Sequence, residues 1–138
     1  MPIMQFIRRA KNEDFEWIVK KSFDPFNEIY KGKINKKWLE IYLKKCKIYV
    51  LKDKSGFIGF VFEPQGILIN SWYAEGKGLK LWAFVEKIAK KLKKPLIGFL
   101  HKEENKFKKF LIKRKYMISD FNENLYFVEK SEDICHQY

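Results

Sequence analysis

Cysteine and histidine are scarce in this chain. Cys46 and Cys135 are its only thiols, and His101 and His136 its only imidazoles. Two lone cysteines read as idle thiols and exclude a disulfide-stapled secreted scaffold. So few soft ligands give no expectation of a Cys/His zinc site or any other metal centre. No apolar run reaches the roughly 18 residues that a membrane-spanning helix needs. The opening Met1–Arg9 holds no apolar stretch long enough for a secretory signal, so a cytoplasmic protein with no membrane partner is expected. Glycine and proline are few, 7 and 4, and no repeat, low-complexity tract or Gly/Ser linker breaks the chain. Residues 1–138 are therefore expected to form a single domain.

What the chain has in quantity is aromatic and basic. Thirteen Phe, seven Tyr and four Trp within a 46% apolar composition supply a packed core and exclude a disordered chain. Lys and Arg number 29 against 17 Asp and Glu, a net charge of +12. The charge is segregated. Residues 77–115 hold fourteen basic and three acidic side chains, +11, and the other 99 residues hold fifteen and fourteen, +1. One reading is a lysine-rich solvated surface, although that would be expected to spread its charge evenly. The other, which the segregation favours, is a face that meets an anion: a nucleic acid, a nucleotide cofactor or an acidic protein.

Periodicity predicts the order β-α-α-β-β-β-α-β-α-β-β. Gln5–Arg9 reads as a first strand. Asn12 reads as the cap of a helix over about 13–21, with Phe15, Ile18 and Val19 on its apolar stripe. Ser22–Gly32, with Asp24-Pro25, reads as loop. A helix over about 35–45 follows, capped by Asn35, with Trp38, Leu39, Tyr42 and Leu43 inward. Lys47–Lys52 and Phe57–Glu63 form a hairpin about Asp53–Gly56. Ile67–Tyr73 is the next strand. A long amphipathic helix runs from Gly78 to about Lys93 on Leu81, Trp82, Val85, Ile88, Ala89 and Leu92. Leu96–Leu100 is a strand and Asn105–Lys115 a helix, with Phe107, Phe110, Leu111 and Arg114 turning inward. Met117–Ser119 and Asn124–Val128 close the chain. The fold class expected is α/β (α+β): a mixed, mostly antiparallel sheet of six or seven strands with four helices.

The junction Tyr73–Gly78 carries the chemistry. A glycine turn that opens a long helix presents backbone N–H groups at the helix's positive end, which suits a phosphate, and Lys77 and Lys80 add cationic side chains. Two glycines in such a place are also ordinary turn chemistry. On helix 105–115, Lys106, Lys109 and Lys113 share one face, Lys108 and Lys115 another, with no acid among them. They are the candidate contacts to a nucleic acid or another acidic partner.

Four stretches together resemble the GNAT superfamily of acyl-CoA-dependent N-acyltransferases. Ile7–Phe15 is similar to its first strand and the start of its first helix, and Lys47–Phe62 to its central hairpin. Gly76–Lys91 is similar to its pyrophosphate turn and helix, and Asn105–Tyr116 to its Asn-led fourth helix and the aromatic after it. The resemblance implies acetyl-CoA or another acyl-CoA as cosubstrate, held by Tyr73, Gly76, Lys77, Gly78 and Lys80, with Asn105 orienting the pantetheine arm. It implies transfer of the acyl group to an amine. The +11 segment makes a macromolecular acceptor more plausible than a small cationic amine. The sequence departs from the family where Tyr73 replaces the usual Arg or Gln, and where Leu111 or Ile112 falls at the usual tyrosine acid. Tyr116 is the nearest substitute acid, and it also fits as the aromatic opening the next strand. His101 and Glu63, at strand ends, are candidate bases as well as ordinary surface residues. A non-catalytic GNAT-like module that binds nucleic acid or an acidic partner through 77–115 is the other reading.

Overall fold

A computed structural model describes residues 6–76 and 78–130. Strand β1 (Ile7–Arg9) leads through a 3-10 turn (Asn12–Asp14) into α1 (Phe15–Ile29) and α2 (Lys36–Lys44). Strands β2 (Lys47–Leu51), β3 (Gly56–Glu63) and β4 (Gly66–Ala74) precede α3 (Gly78–Leu92). Then follow β5 (Leu96–His101), α4 (Asn105–Lys113), β6 (Met117–Asp120) and β7 (Leu125–Lys130). The strands are hydrogen-bonded in the order β1-β2-β3-β4-β5-β7-β6, a seven-stranded, mostly antiparallel sheet. β4 and β5 run parallel, with Ile67–Ile69 opposite Leu96–Gly98; β4 continues to Ala74 and β5 to His101. β7 returns antiparallel to both β5 and β6.

Contacts group the described residues into two compact units. One runs up to Val61 and includes Ser71–Phe84; the other holds Phe62–Asn70 and the chain from Val85. In the first, alternation sends Ile48 and Val50 of β2 into a core with Phe15, Ile18, Val19, Leu39, Leu43 and Phe57. Trp17 sets its edge against Phe57 and Tyr73, at centroid separations of 5.2 and 6.2 Å, a favoured aromatic geometry. In the second, Leu96, Ile97 and Leu100 of β5 are buried with Val128 of β7, Leu111 of α4, and Val85 and Ala89 of α3.

The structure corrects several expectations. Most of Ser22–Gly32 is not a loop: α1 continues through Pro25 to Ile29, and only Tyr30–Gly32 forms a turn. A proline inside a helix costs about 3 kcal/mol, but helical spacing places Phe26 in the core, where it packs against Tyr42 at 5.7 Å. Burial of that ring, about 1.5–3 kcal/mol, offsets much of this cost. Gly32 ends the helix, its N–H donating to the Asn27 carbonyl at 2.7 Å. Asn12 does not cap α1. The Asp14 carboxylate turns back to accept the Lys11 N–H at 2.7 Å and holds Arg8 in a two-pronged ion pair at 2.7 and 3.1 Å. Asn35 does cap α2, accepting from the Trp38 N–H at 2.8 Å. Trp38 is exposed and stacks parallel on Tyr42, Leu92 ends the α3 stripe in solvent, and Arg114 is exposed rather than turned into the core. The predicted strand residue Gln5, together with Lys77, Cys135 and His136, lies outside the described residues.

Candidate functional site

In the first unit, β4 delivers the chain to the start of α3 through Glu75 and Gly76. The turn is anchored by the Glu75 N–H, which donates to the Ser55 carbonyl at 2.7 Å. Gly76 adopts φ +90°, a region that L side chains rarely occupy, and no atom lies within 4 Å of where its Cβ would stand. The space beside Gly76 is therefore open, and a side chain there would occupy it. Gly78 is required for a different reason. A Cβ there would stand 2.8 and 2.9 Å from the Trp72 ring carbons Cζ2 and Cη2. The indole of Trp72, set edge-on to Trp82 at 5.1 Å, occupies the room that Gly78 leaves.

The first turn of α3 carries no acid. Glu75, the one carboxylate beside the turn, accepts a short hydrogen bond from the Tyr73 hydroxyl. That bond, with burial and the Glu75 charge, raises the Tyr73 pKa above the usual phenol value. The Tyr73 ring also lies under the Lys21 ammonium, 4.8 Å from its centroid. Lys80 is exposed, with its ammonium 5.2 Å from the Phe6 ring centre. An acid-free helix N-terminus behind an open glycine turn suits a phosphate group, so the residues present fit a pyrophosphate. Of the predicted cofactor contacts, Tyr73, Gly76, Gly78 and Lys80 thus fall in one short stretch, while Lys77 lies outside the described residues.

The other candidates belong to the second unit. His101 is the last residue of β5, opposite Leu125 of β7. Its Nδ1 accepts from the Glu103 N–H at 3.5 Å, the outer edge of hydrogen bonding. Glu63 is exposed at the end of β3. Asn105 opens α4 and is exposed; the cap position falls on Glu104, whose side chain makes no capping bond. Tyr116 is buried, and its hydroxyl donates to Glu86 Oε2 at 2.6 Å.

Glu86 is the centre of a cluster that sequence reasoning missed. It accepts from Tyr116 and from Arg114, whose Nε lies at 3.2 Å and whose Nη2 makes a second short contact, and the Lys130 ammonium stands 3.8 Å away. The available signal was that Glu86 is the single acid of α3, bordering its apolar stripe. The basic helix, which has no acid of its own, finds contacts outside itself. Arg114 meets Glu86, and Lys108 donates to the Tyr126 hydroxyl at 3.0 Å with its ammonium 4.4 Å from that ring centre. Lys106, Lys109 and Lys113 are exposed.

Among the described residues no group of three or more His, Cys, Asp or Glu could hold a metal ion, and no helix is long and apolar enough to cross a membrane. No protein-family model and no curated protein matches the sequence. Solved structures do match. YncA of Salmonella typhimurium, determined with acetyl-CoA, aligns at a TM-score of 0.69 and 14% identity, over 92% of this chain and 93% of its own. The PaiA N-acetyltransferase of Thermoplasma acidophilum, in complex with coenzyme A, aligns at 0.61 and 17%, over 91% and 97%. The ribosomal-protein-alanine N-acetyltransferase of Brucella melitensis aligns at 0.64 and 13%, over 91% and 98%. At such identities the fold is what is shared, and the fold of this chain is GNAT-like, as the resemblance implied.

Proposed function

We propose that this chain is an N-acyltransferase that moves an acetyl or other acyl group from acyl-CoA to an amine on a macromolecular acceptor. The observation that carries the reading is the open glycine turn at the head of α3. Gly76 leaves space where a side chain would stand, the first helical turn lacks acids, and Glu75 is engaged by Tyr73. The likeness to folds solved with CoA or acetyl-CoA supports the same reading.

In this reading the N–H groups of the first turn of α3, with Gly76, Gly78, Lys77 and Lys80, hold the pyrophosphate, and Tyr73 positions the turn. Asn105 orients the pantetheine arm. The cosubstrate supplies an activated acyl carbon as a thioester. The chain's own work is then to align the amine with that carbon and to take the amine's proton, for which His101 and Glu63 are the candidates. Alignment alone contributes several kcal/mol to such a reaction, and backbone dipoles that polarise a carbonyl contribute further. Tyr116, bonded to Glu86, is the candidate proton donor to the leaving thiolate.

Calorimetric titration with CoA tests the reading. The native chain should bind at millimolar concentration or tighter, and Gly76→Asp should abolish binding, because its carboxylate enters the open space. Gly78 is unsuitable for this test, since any side chain there strikes Trp72. No binding by the native chain at millimolar CoA overturns the proposal. A second reading, a non-catalytic module that binds an acidic partner, is favoured by the exposed Lys106, Lys109 and Lys113. Thiol release from acetyl-CoA in the presence of amine acceptors separates the two.

A further inference from the structure

We infer that the lysine face formed by α4 and the C-terminal half of α3 is a docking surface for the phosphate backbone of a nucleic-acid duplex. This surface lies within the second unit and does not depend on the acyltransferase reading. Lys106, Lys109 and Lys113 are exposed and fall within about 60° of one another around α4, at 3.6 residues per turn. Lys87, Lys90 and Lys91 are exposed on α3. The two groups are tied together: Arg114, at the C-terminal cap of α4, pairs with Glu86, one residue before Lys87. Neither helix adds a free acid to this face, because α4 contains none and Glu86 is taken up by Arg114, Tyr116 and Lys130.

Within each helix the like charges repel one another, and each pair one turn apart costs a few tenths of a kcal/mol. A polyanion removes that cost. Lys106 to Lys113 spans about 10 Å at 1.5 Å per residue. A duplex presents one charge per about 1.7 Å of axis, so roughly six phosphates lie along that length. The residue type favours a nucleic acid over other partners. Protein interfaces are built on Trp, Tyr and Arg and are depleted in Lys, whereas lysine as a hydrated point charge serves backbone phosphates without reading bases. Membrane insertion would need an outward apolar face, but on α4 Leu111 is buried, Phe107 and Phe110 are half-buried, and Ile112 is the one large apolar side chain exposed.

Fluorescence anisotropy with a labelled mixed-sequence duplex, titrated at about 50 and 200 mM salt, tests the inference. The native chain should bind, independently of sequence, with affinity falling steeply as salt rises. The variant K106Q/K109Q/K113Q should flatten the log–log salt slope by up to about three units. K20Q/K33Q/K37Q, exposed lysines of the first unit, removes the same charge and should leave the slope close to native. No duplex binding at low salt overturns the inference, and so does equal flattening by both variants, which would mark diffuse charge. Equal or tighter binding of polyglutamate or of phosphatidylserine vesicles also overturns it, in favour of an acidic protein or a lipid surface. Circular dichroism checks that both variants fold. CoA titration of the same samples reports separately on the acyltransferase reading.

Discussion

The Tyr73 hydroxyl donates a hydrogen bond to the Glu75 carboxylate, two residues along the chain and immediately before Gly76. In the proposed site this bond keeps a negative charge occupied beside the phosphate turn. Tyr73→Phe releases Glu75 and should weaken CoA binding by roughly tenfold, equivalent to about 1.4 kcal/mol. Glu75→Gln should strengthen binding or leave it unchanged, and in that background Tyr73→Phe should have no further effect. Calorimetry on the four proteins of this cycle decides the matter. Equal losses from Tyr73→Phe in both backgrounds would show that the ring, rather than its hydroxyl, matters. Because the Tyr73 pKa is raised, its hydroxyl stays protonated through the ordinary phenol range. The contribution of this bond is therefore complete below that range and lost as pH rises through the folded value.

The two glycines of the turn should respond differently to alanine. Gly78→Ala forces a methyl against the Trp72 ring at 2.8 Å, an overpacking that costs typically about 1–3 kcal/mol. Gly76→Ala meets no atom within 4 Å and carries only the backbone strain of φ +90°, about 1 kcal/mol or somewhat more. Thermal unfolding should therefore show the larger loss for Gly78→Ala. Trimming the ring with Trp72→Leu should recover part of that loss but none of the loss from Gly76→Ala. A Gly78→Ala protein as stable as the native chain would remove the packing account.

Strand alternation, the hairpin at Asp53–Gly56 and the long α3 were legible because each rests on local periodicity that the fold does not override. The bounds of β2, β3, β4 and β5 fall within a residue of expectation. Pro25 was misread because a local rule met a tertiary one: the proline signals a break, yet Phe26 reaches the core only if the helix continues through it. The glycine turn was visible as a motif, but the reason for Gly78 was not, since the Trp72 indole that fills its space comes from the strand before. The Glu86 cluster joins residues 28 and 30 positions apart, a separation at which composition and spacing are silent.

Acid should unfold the chain partly through Asp14. The Arg8 guanidinium, and behind it the Lys11 N–H, hold this buried carboxyl below the usual carboxylate value. A depressed folded pKa contributes stability that is present above the unfolded value of about 4 and is lost as pH falls through the folded value. Asp14→Asn should lower stability at neutral pH by roughly 2–4 kcal/mol, since it strips an ion pair and weakens a helix start. It should also flatten the fall in stability as pH drops below about 4. Urea unfolding across that range reads both effects. An unchanged acid limb would mean that other carboxylates carry it.

If the chain transfers acyl groups, no single candidate side chain should be indispensable. Where the resemblance implies a tyrosine acid the chain has Leu111 or Ile112, neither of which can donate a proton. His101→Ala and Glu63→Gln should each cost roughly 10²-fold in turnover or less, within the usual range for acid–base assistance. Tyr116→Phe separates two roles for its hydroxyl. The bond to Glu86 spans a buried part of the second unit, so its loss should cost about 1.5–3 kcal/mol in stability, as for other hydrogen bonds to charged groups. Lys130 and Arg114 still hold Glu86 in that variant, which keeps the carboxylate paired and the protein folded. A stability loss with turnover within tenfold of native would make Tyr116 a packing residue. A turnover loss beyond 10²-fold with native stability would instead identify its hydroxyl as the proton donor, because only a group that acts on the reacting atoms changes the rate without changing the fold.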